Sequence, residues 1–339
     1  MPLARPLTWS PMPSSDLARP ALFVVREQGS AVAGGLAAEL EDVLDVVPLE
    51  TGDPDSAAQD IVRAIAFHGS TRWLIAGEGR GGEVAALVAS RTLAGRSGLF
   101  GLAGLVLIGG PAGEVAGRIP TLRLDDATGA ATAIRSFWVE RAGIGPAVPV
   151  NASRAIASAR TTTRVRALLA ERLLADDPHY APRVLTPTRL ATLRAIADRV
   201  VPQDDGRIDL AARVDAQLAD GQGDGWRNAA LPADPIAYGL GLDSLDGFAA
   251  LTPVEQDDRL TAVADGSAAT GALTPEQLTA WFEDCRVDLV RQWLAHPASM
   301  ARVGYDGYAS GGDTLPLAGF RSLGADQRED WEPTARSPR

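Results

Sequence analysis

Residues 72–87, Arg72-Trp73-Leu74-Ile75-Ala76-Gly77-Glu78-Gly79-Arg80-Gly81-Gly82-Glu83-Val84-Ala85-Ala86-Leu87, constrain this chain more than any other stretch. They read as a short apolar strand, a glycine-packed turn and an amphipathic helix, the unit from which parallel sheets are built. Two kinds of site use this plan. In G-x-S-x-G, a sharp turn lifts a serine hydroxyl above the sheet, with the helix N-terminus facing the developing oxyanion. Aligned to it, Gly77, Gly79 and Gly81 leave glycine where the serine belongs, so there is no oxygen to attack with. A triad also needs a histidine beyond the last strand. The histidines are His68, which precedes the turn, His179, in a linker-like Asp177–Pro182 stretch, and His296. Asp125 and Asp126 stand where a triad acid would, and without a serine they read as loop-capping acids. The second plan, G-x-G-x-x-G, is matched by Gly77, Gly79 and Gly82, but no acid lies between Glu83 and Glu114 to hold a ribose. Both plans fail chemically, which leaves close packing of helix on strand as the reading of the glycines.

The surrounding residues supply the rest of a sheet. Ala21–Val25 is a continuous apolar run suited to a strand buried on both faces. Leu36–Leu44 reads as a helix and Val46–Leu49 as an edge strand, because Pro48 removes a ladder donor. Asp53-Pro54 opens a helix with Ile61, Val62, Ile65 and Ala66 on its apolar face. Leu105–Ile108 and Ile119–Leu124 are further strands, and Ala130–Arg141 a further helix. Alternating strands and helices predict a doubly wound, mostly parallel α/β sheet. From Ala21 to Val150 the order of elements and the elbow segment resemble the α/β-hydrolase fold. The loop Arg26–Ser30 lacks that fold's histidine-glycine oxyanion pattern. The resemblance implies a pseudo-enzyme domain, used for packing or docking.

The length of 339 residues suggests two domains. A net charge of −11 argues against nucleic acid and anionic membranes as partners. Every basic residue is arginine. A single cysteine, Cys285, excludes an intramolecular disulfide and a thiolate zinc site, and three scattered histidines argue against a metal cluster. Residues 1–20 read as a flexible N-terminus without an apolar export segment or twin-arginine pair, so a cytoplasmic location is expected. No apolar run is long enough to span a bilayer.

Pro146–Val150 reads as the end of the first domain, and residues 151–184 as a linker containing a helix at Val165–Leu174. From 185 to 339 the periodicity is helical. Leu-Thr-Pro recurs at 185–187, 251–253 and 273–275, each a helix start with threonine as cap and proline at the first helical position. Glu255 and Gln277 complete capping boxes in the last two. The first of these helices puts Leu190, Leu193, Ile196, Ala197 and Val200 on its apolar face. The last carries Leu278, Trp281, Phe282, Val287, Leu289 and Trp293, with Cys285 among them.

The segment Leu185–Asp205, LTPTRLATLRAIADRVVPQDD, resembles the opening of the gluconate 2-dehydrogenase subunit 3 family. The tail, from Ala295-His296-Pro297 through Gly304-Tyr305-Asp306-Gly307-Tyr308 to Gly319-Phe320-Arg321, resembles its close. The family comprises small, non-flavin subunits of membrane-linked sugar and polyol dehydrogenases. The resemblance implies a non-catalytic accessory subunit that binds a large FAD-dependent catalytic subunit of the glucose-methanol-choline (GMC) type. It implies that FAD sits in that partner and that this chain binds no cofactor.

Aromatic residues in glycine-rich sequence can act as partner anchors. Trp293, Tyr305, Tyr308, Phe320 and Trp331 are candidates for such a partner interface, with folding back onto their own domain as the competing reading. His296, before a proline, reads as a helix C-cap residue, with a place near a partner's active site as the sharper alternative. Two other functions stay open: an esterase of α/β-hydrolase type using an unrecognised nucleophile such as Ser70 or Ser97, and an interaction scaffold without a redox partner.

Overall fold

A computed structural model describes residues 18–50, 54–110, 118–204, 207–221, 228–269, 271–308 and 311–313. The expected flexible start, Phe320 and Trp331 lie outside the described residues. Five parallel strands, β1 (Ala21–Arg26), β2 (Asp45–Glu50), β3 (Trp73–Glu78), β4 (Leu102–Ile108) and β5 (Thr121–Leu124), form one sheet in the order β2-β1-β3-β4-β5. As Pro48 requires, β2 is an edge strand, paired only with β1.

Helices α1 (Val32–Leu40), α2 (Pro54–His68), α3 (Gly81–Leu93) and α4 (Ala130–Phe137) cover the sheet on both faces. The period of two along each strand sorts the side chains. Phe23, Val25, Trp73, Ile75, Leu105 and Leu107 share one core with Ile61 and Ile65 of α2 and Val84 and Val88 of α3. Leu22, Val24, Leu74, Ala76, Val106 and Ile108 share the other with Leu36 and Leu40 of α1 and Ile134 and Phe137 of α4. The first helix lies four residues earlier than its pattern suggests. Burial of Ala33, Leu36 and Leu40 outweighs the weak helix propensity of Gly34 and Gly35, and Glu41–Leu44 form a turn instead. The sheet is doubly wound; its order does not by itself single out the α/β-hydrolase fold.

After α4 the chain makes one π turn, Trp138–Ala142, and enters α5 (Val150–Ala157) and α6 (Thr163–Leu173). These two helices build a third core with Phe100 of the sheet region and Ala298 and Tyr308 from near the described C-terminal end. Arg166 of α6 ties this layer together by donating to the carbonyls of Gly95, Ile156, Ser158 and Thr161.

The remaining helices are α7 (Pro187–Val200), α8 (Leu210–Ala219), α9 (Asp234–Asp243), α10 (Pro253–Ala264), α11 (Pro275–Leu294) and α12 (Pro297–Arg302). All three Leu-Thr-Pro phrases cap helices: Thr186, Thr252 and Thr274 accept from the N–H groups of Arg189, Glu255 and Gln277. Both capping boxes form. The apolar face of α7 enters the core as its spacing predicts, with Val200 only partly buried. On α11, Leu278, Trp281, Phe282, Cys285 and Leu289 are buried and Trp293 is partly buried. Val287 is the exception: it is 55% exposed, on the opposite side of the helix. The architecture is thus α/β followed by all-α.

Candidate functional site

The order β2-β1-β3 reverses direction between β1 and β3, so the crevice outside their carboxyl ends is where sheets of this kind place ligands. The glycine turn sits there. Gly79 has φ +54, the left-handed region that the serine of an elbow must be strained to enter. A side chain at Gly77 would lie 2.5 Å from the Gly81 carbonyl oxygen, and one at Gly81 would land on the Val25 carbonyl. From the next strand, a side chain at Gly110 would come within 2.8 Å of the Gly79 carbonyl oxygen. Gly77 and Gly81 therefore serve close packing of α3 on the sheet. At Gly79 there is space, and the turn carries no side-chain oxygen at that position.

The polar groups at this turn also turn away from phosphate or acyl chemistry. Ser30 donates to Glu78 at 2.5 Å, and Arg26 donates to the Ser30 carbonyl at 2.7 Å. The Glu78 carboxylate is thus held by Ser30, whose hydroxyl also accepts from the Val32 N–H at the start of α1. Asp126 accepts from the Thr128 N–H, which places it in its own loop as a capping acid.

Ser70 and Ser97 lie elsewhere. Ser70 is buried before β3 and donates to the carbonyls of Arg19 and Arg72. Ser97 hydrogen-bonds Thr92 and accepts from the Leu99 N–H. His68 pairs with Asp45 at 3.0 Å and meets the Phe23 ring edge-on. Among the described residues, no group of three or more His, Cys, Asp and Glu side chains is placed to hold a metal, and no helix is long and apolar enough to cross a membrane.

The strongest polar constructions lie where the two halves meet. Asp215 of α8 is fully buried, and its carboxylate accepts from the Tyr180 hydroxyl and from the N–H groups of Arg183, Val184 and Leu185. It clamps the chain entering α7 onto α8. Burial would raise its carboxyl pKa, but the four donors more than offset this and hold it below the usual carboxylate range. Nearby, Arg213 pairs with Asp176 at 2.8 Å and Arg194 with Asp209 at 2.6 Å, beside an open cavity of about 420 Å³. Every carboxylate lining that cavity is already paired with an arginine. A sequence signal for Asp215 existed: it falls on the apolar face of α8 beside Ala211, Val214 and Leu218. The buried Arg72, which donates to the carbonyls of Ala142, Ile144 and Gly145, carried no such signal.

The expected interface residues divide. His296 is 3% exposed and is the N-cap of α12, its Nδ1 accepting from the Ala298 N–H at 3.2 Å. The expectation of a C-cap is corrected, because the C-cap of α11, Ala295, is followed directly by His296 as the N-cap of α12. Burial, and then the Arg213 and Arg72 charges, push the imidazole pKa well below its usual value, so the ring is neutral. Tyr308 is buried against α5 and α6, and its ring meets Tyr305 edge-on at 5.2 Å. Tyr305 is half exposed, and Trp293 packs partly into the helical core.

Residues 187–312 match the family model described as Gluconate 2-dehydrogenase subunit 3, so the match begins one residue after the Thr186 cap and runs through α12. It covers less than half of the chain and none of the sheet. No curated protein and no solved structure matches the chain.

Proposed function

We propose that this chain is a non-catalytic accessory subunit that binds and stabilises the FAD-containing, GMC-type catalytic subunit of a sugar or glycoside dehydrogenase. The observation that carries this reading is the match of the helical region to a dehydrogenase subunit family. The turn at Gly79 supports it from the other side, since glycine there offers no nucleophilic oxygen. In this reading the flavin belongs to the partner and supplies the hydride chemistry there. The α/β domain is a pseudo-hydrolase held against the helices through α5, α6 and α12.

The test is mild affinity purification of the tagged full-length chain from its native host, followed by an absorbance scan and a dye-reduction assay with sugars. Co-purification of a large subunit with oxidised-flavin bands is the expected result. A colourless chain that comes down alone, or that hydrolyses short acyl esters and is labelled by serine-directed reagents, contradicts it.

A further inference from the structure

We infer that the outer face of α11 is where the catalytic subunit seats, meeting it with an apolar patch of the partner that is rimmed by basic residues. This rests on the accessory-subunit reading. Leu278, Trp281, Phe282, Cys285 and Leu289 turn one side of α11 into the core, and the remaining neighbours α7, α8, α9, α10 and α12 flank it. The 3.6-residue period then places Val287, Val290 and Leu294 together on the far side. They are 55%, 39% and 38% exposed. Single exposed apolar side chains, such as Phe67 on α2, need no partner. Three on successive turns of the longest helix reverse the polarity that a solvent-facing surface carries.

Charge selects the occupant. Residues 187–312 hold 19 acidic residues and 10 arginines, so −9 of the chain's −11 lies in this region. A second copy of the chain would bring the same −9 against it. The chain's own end, residues 314–339, holds four arginines and four acids and so brings no net charge to complement this field. A partner surface with an apolar centre and a basic rim satisfies both the stripe and the field around it.

The experiment compares full-length wild type, the double variant Val287→Glu/Val290→Glu and the control Phe67→Glu, each tagged and expressed in the native host. The readout is the flavin absorbance recovered per chain. The expected result is at least a tenfold loss for the double variant, none for Phe67→Glu, and equal unfolding midpoints for all three. Capture by wild type should also weaken between about 0.1 and 0.5 M salt. If wild type captures flavoprotein and the double variant captures as much, this surface is wrong while the accessory-subunit reading survives. If wild type captures none, both fail. Two further outcomes overturn the proposal: a wild-type dimer that the double variant turns into monomer makes a second copy the occupant. A Val287→Cys thiol that reacts with maleimide only after residues 314–339 are deleted makes the chain's own end the occupant.

Discussion

The α/β region and the helical region solve the same problem differently. The sheet is closed: helices cover both faces, and its central turn is so tightly packed that Gly81 leaves no room for a methyl group. The helical region is built from strong local signals, with a capped Thr-Pro start on three helices, yet among the described residues it leaves an apolar stripe on α11 exposed. Charge separates them as well, since residues 187–312 hold −9 and the rest of the chain only −2. The contrast is between a region that buries its apolar residues on both faces of a sheet and one that keeps apolar residues on an exposed helix face.

Substitutions sharpen this contrast. The largest effect is expected at the joint. Asp215→Ala leaves three backbone N–H groups, that of Leu185 buried, and the Tyr180 hydroxyl without their acceptor and should cost about 4 kcal/mol, read as a lower urea midpoint. Next is the elbow. Gly81→Ala forces a methyl onto the Val25 carbonyl and should cost about 3 kcal/mol. Gly79→Ser meets open space and only the left-handed strain, about 1–2 kcal/mol. It should gain no esterase activity; ester turnover by that variant would show that the turn is a resting active site rather than a packing device.

Acid separates two buried groups of the helical region by pH. The folded-state pKa of His296 is depressed, so its contribution is complete above about pH 6.5, the unfolded value, and is lost as the pH falls. Stability should drop by up to about 1.4 kcal/mol per pH unit below that point. Asp215, also depressed, acts only below about pH 4. His296→Asn keeps an N-cap side chain and should remove the higher phase alone, as seen in urea midpoints between pH 7 and 5 (a range of about two units around the histidine pKa). The smallest effects are at the caps: Thr252→Ala and Thr274→Ala should each cost about 1 kcal/mol.

What could be read from the sequence follows the same division. Periodicity and caps are local, so the strands, Pro48 at the edge and all three Thr-Pro starts were legible. The tight strand-turn-helix at Gly77–Gly82 was legible too, because closely spaced glycines mark a close approach of helix and strand. Non-local packing was not. The stretch that reads as a linker with one helix holds two, α5 and α6, packed into a core that Tyr308 and Ala298 complete from more than a hundred residues away. Val287 looked like a core residue because its apolar neighbours at 285 and 289 are; only the angle around α11 separates them. His296 carries no local signal that tells an N-cap from a C-cap, because α12 starts at Pro297 with no spacer after α11.

The most direct test of the central claim expresses the captured flavoprotein subunit with and without this chain and measures soluble, flavin-loaded enzyme. Loss of at least about tenfold in flavin-loaded enzyme without the chain is the expected result, since a subunit whose docking face is uncovered aggregates or stays unfolded. Equal yield and equal dye-reducing activity without the chain would contradict the account.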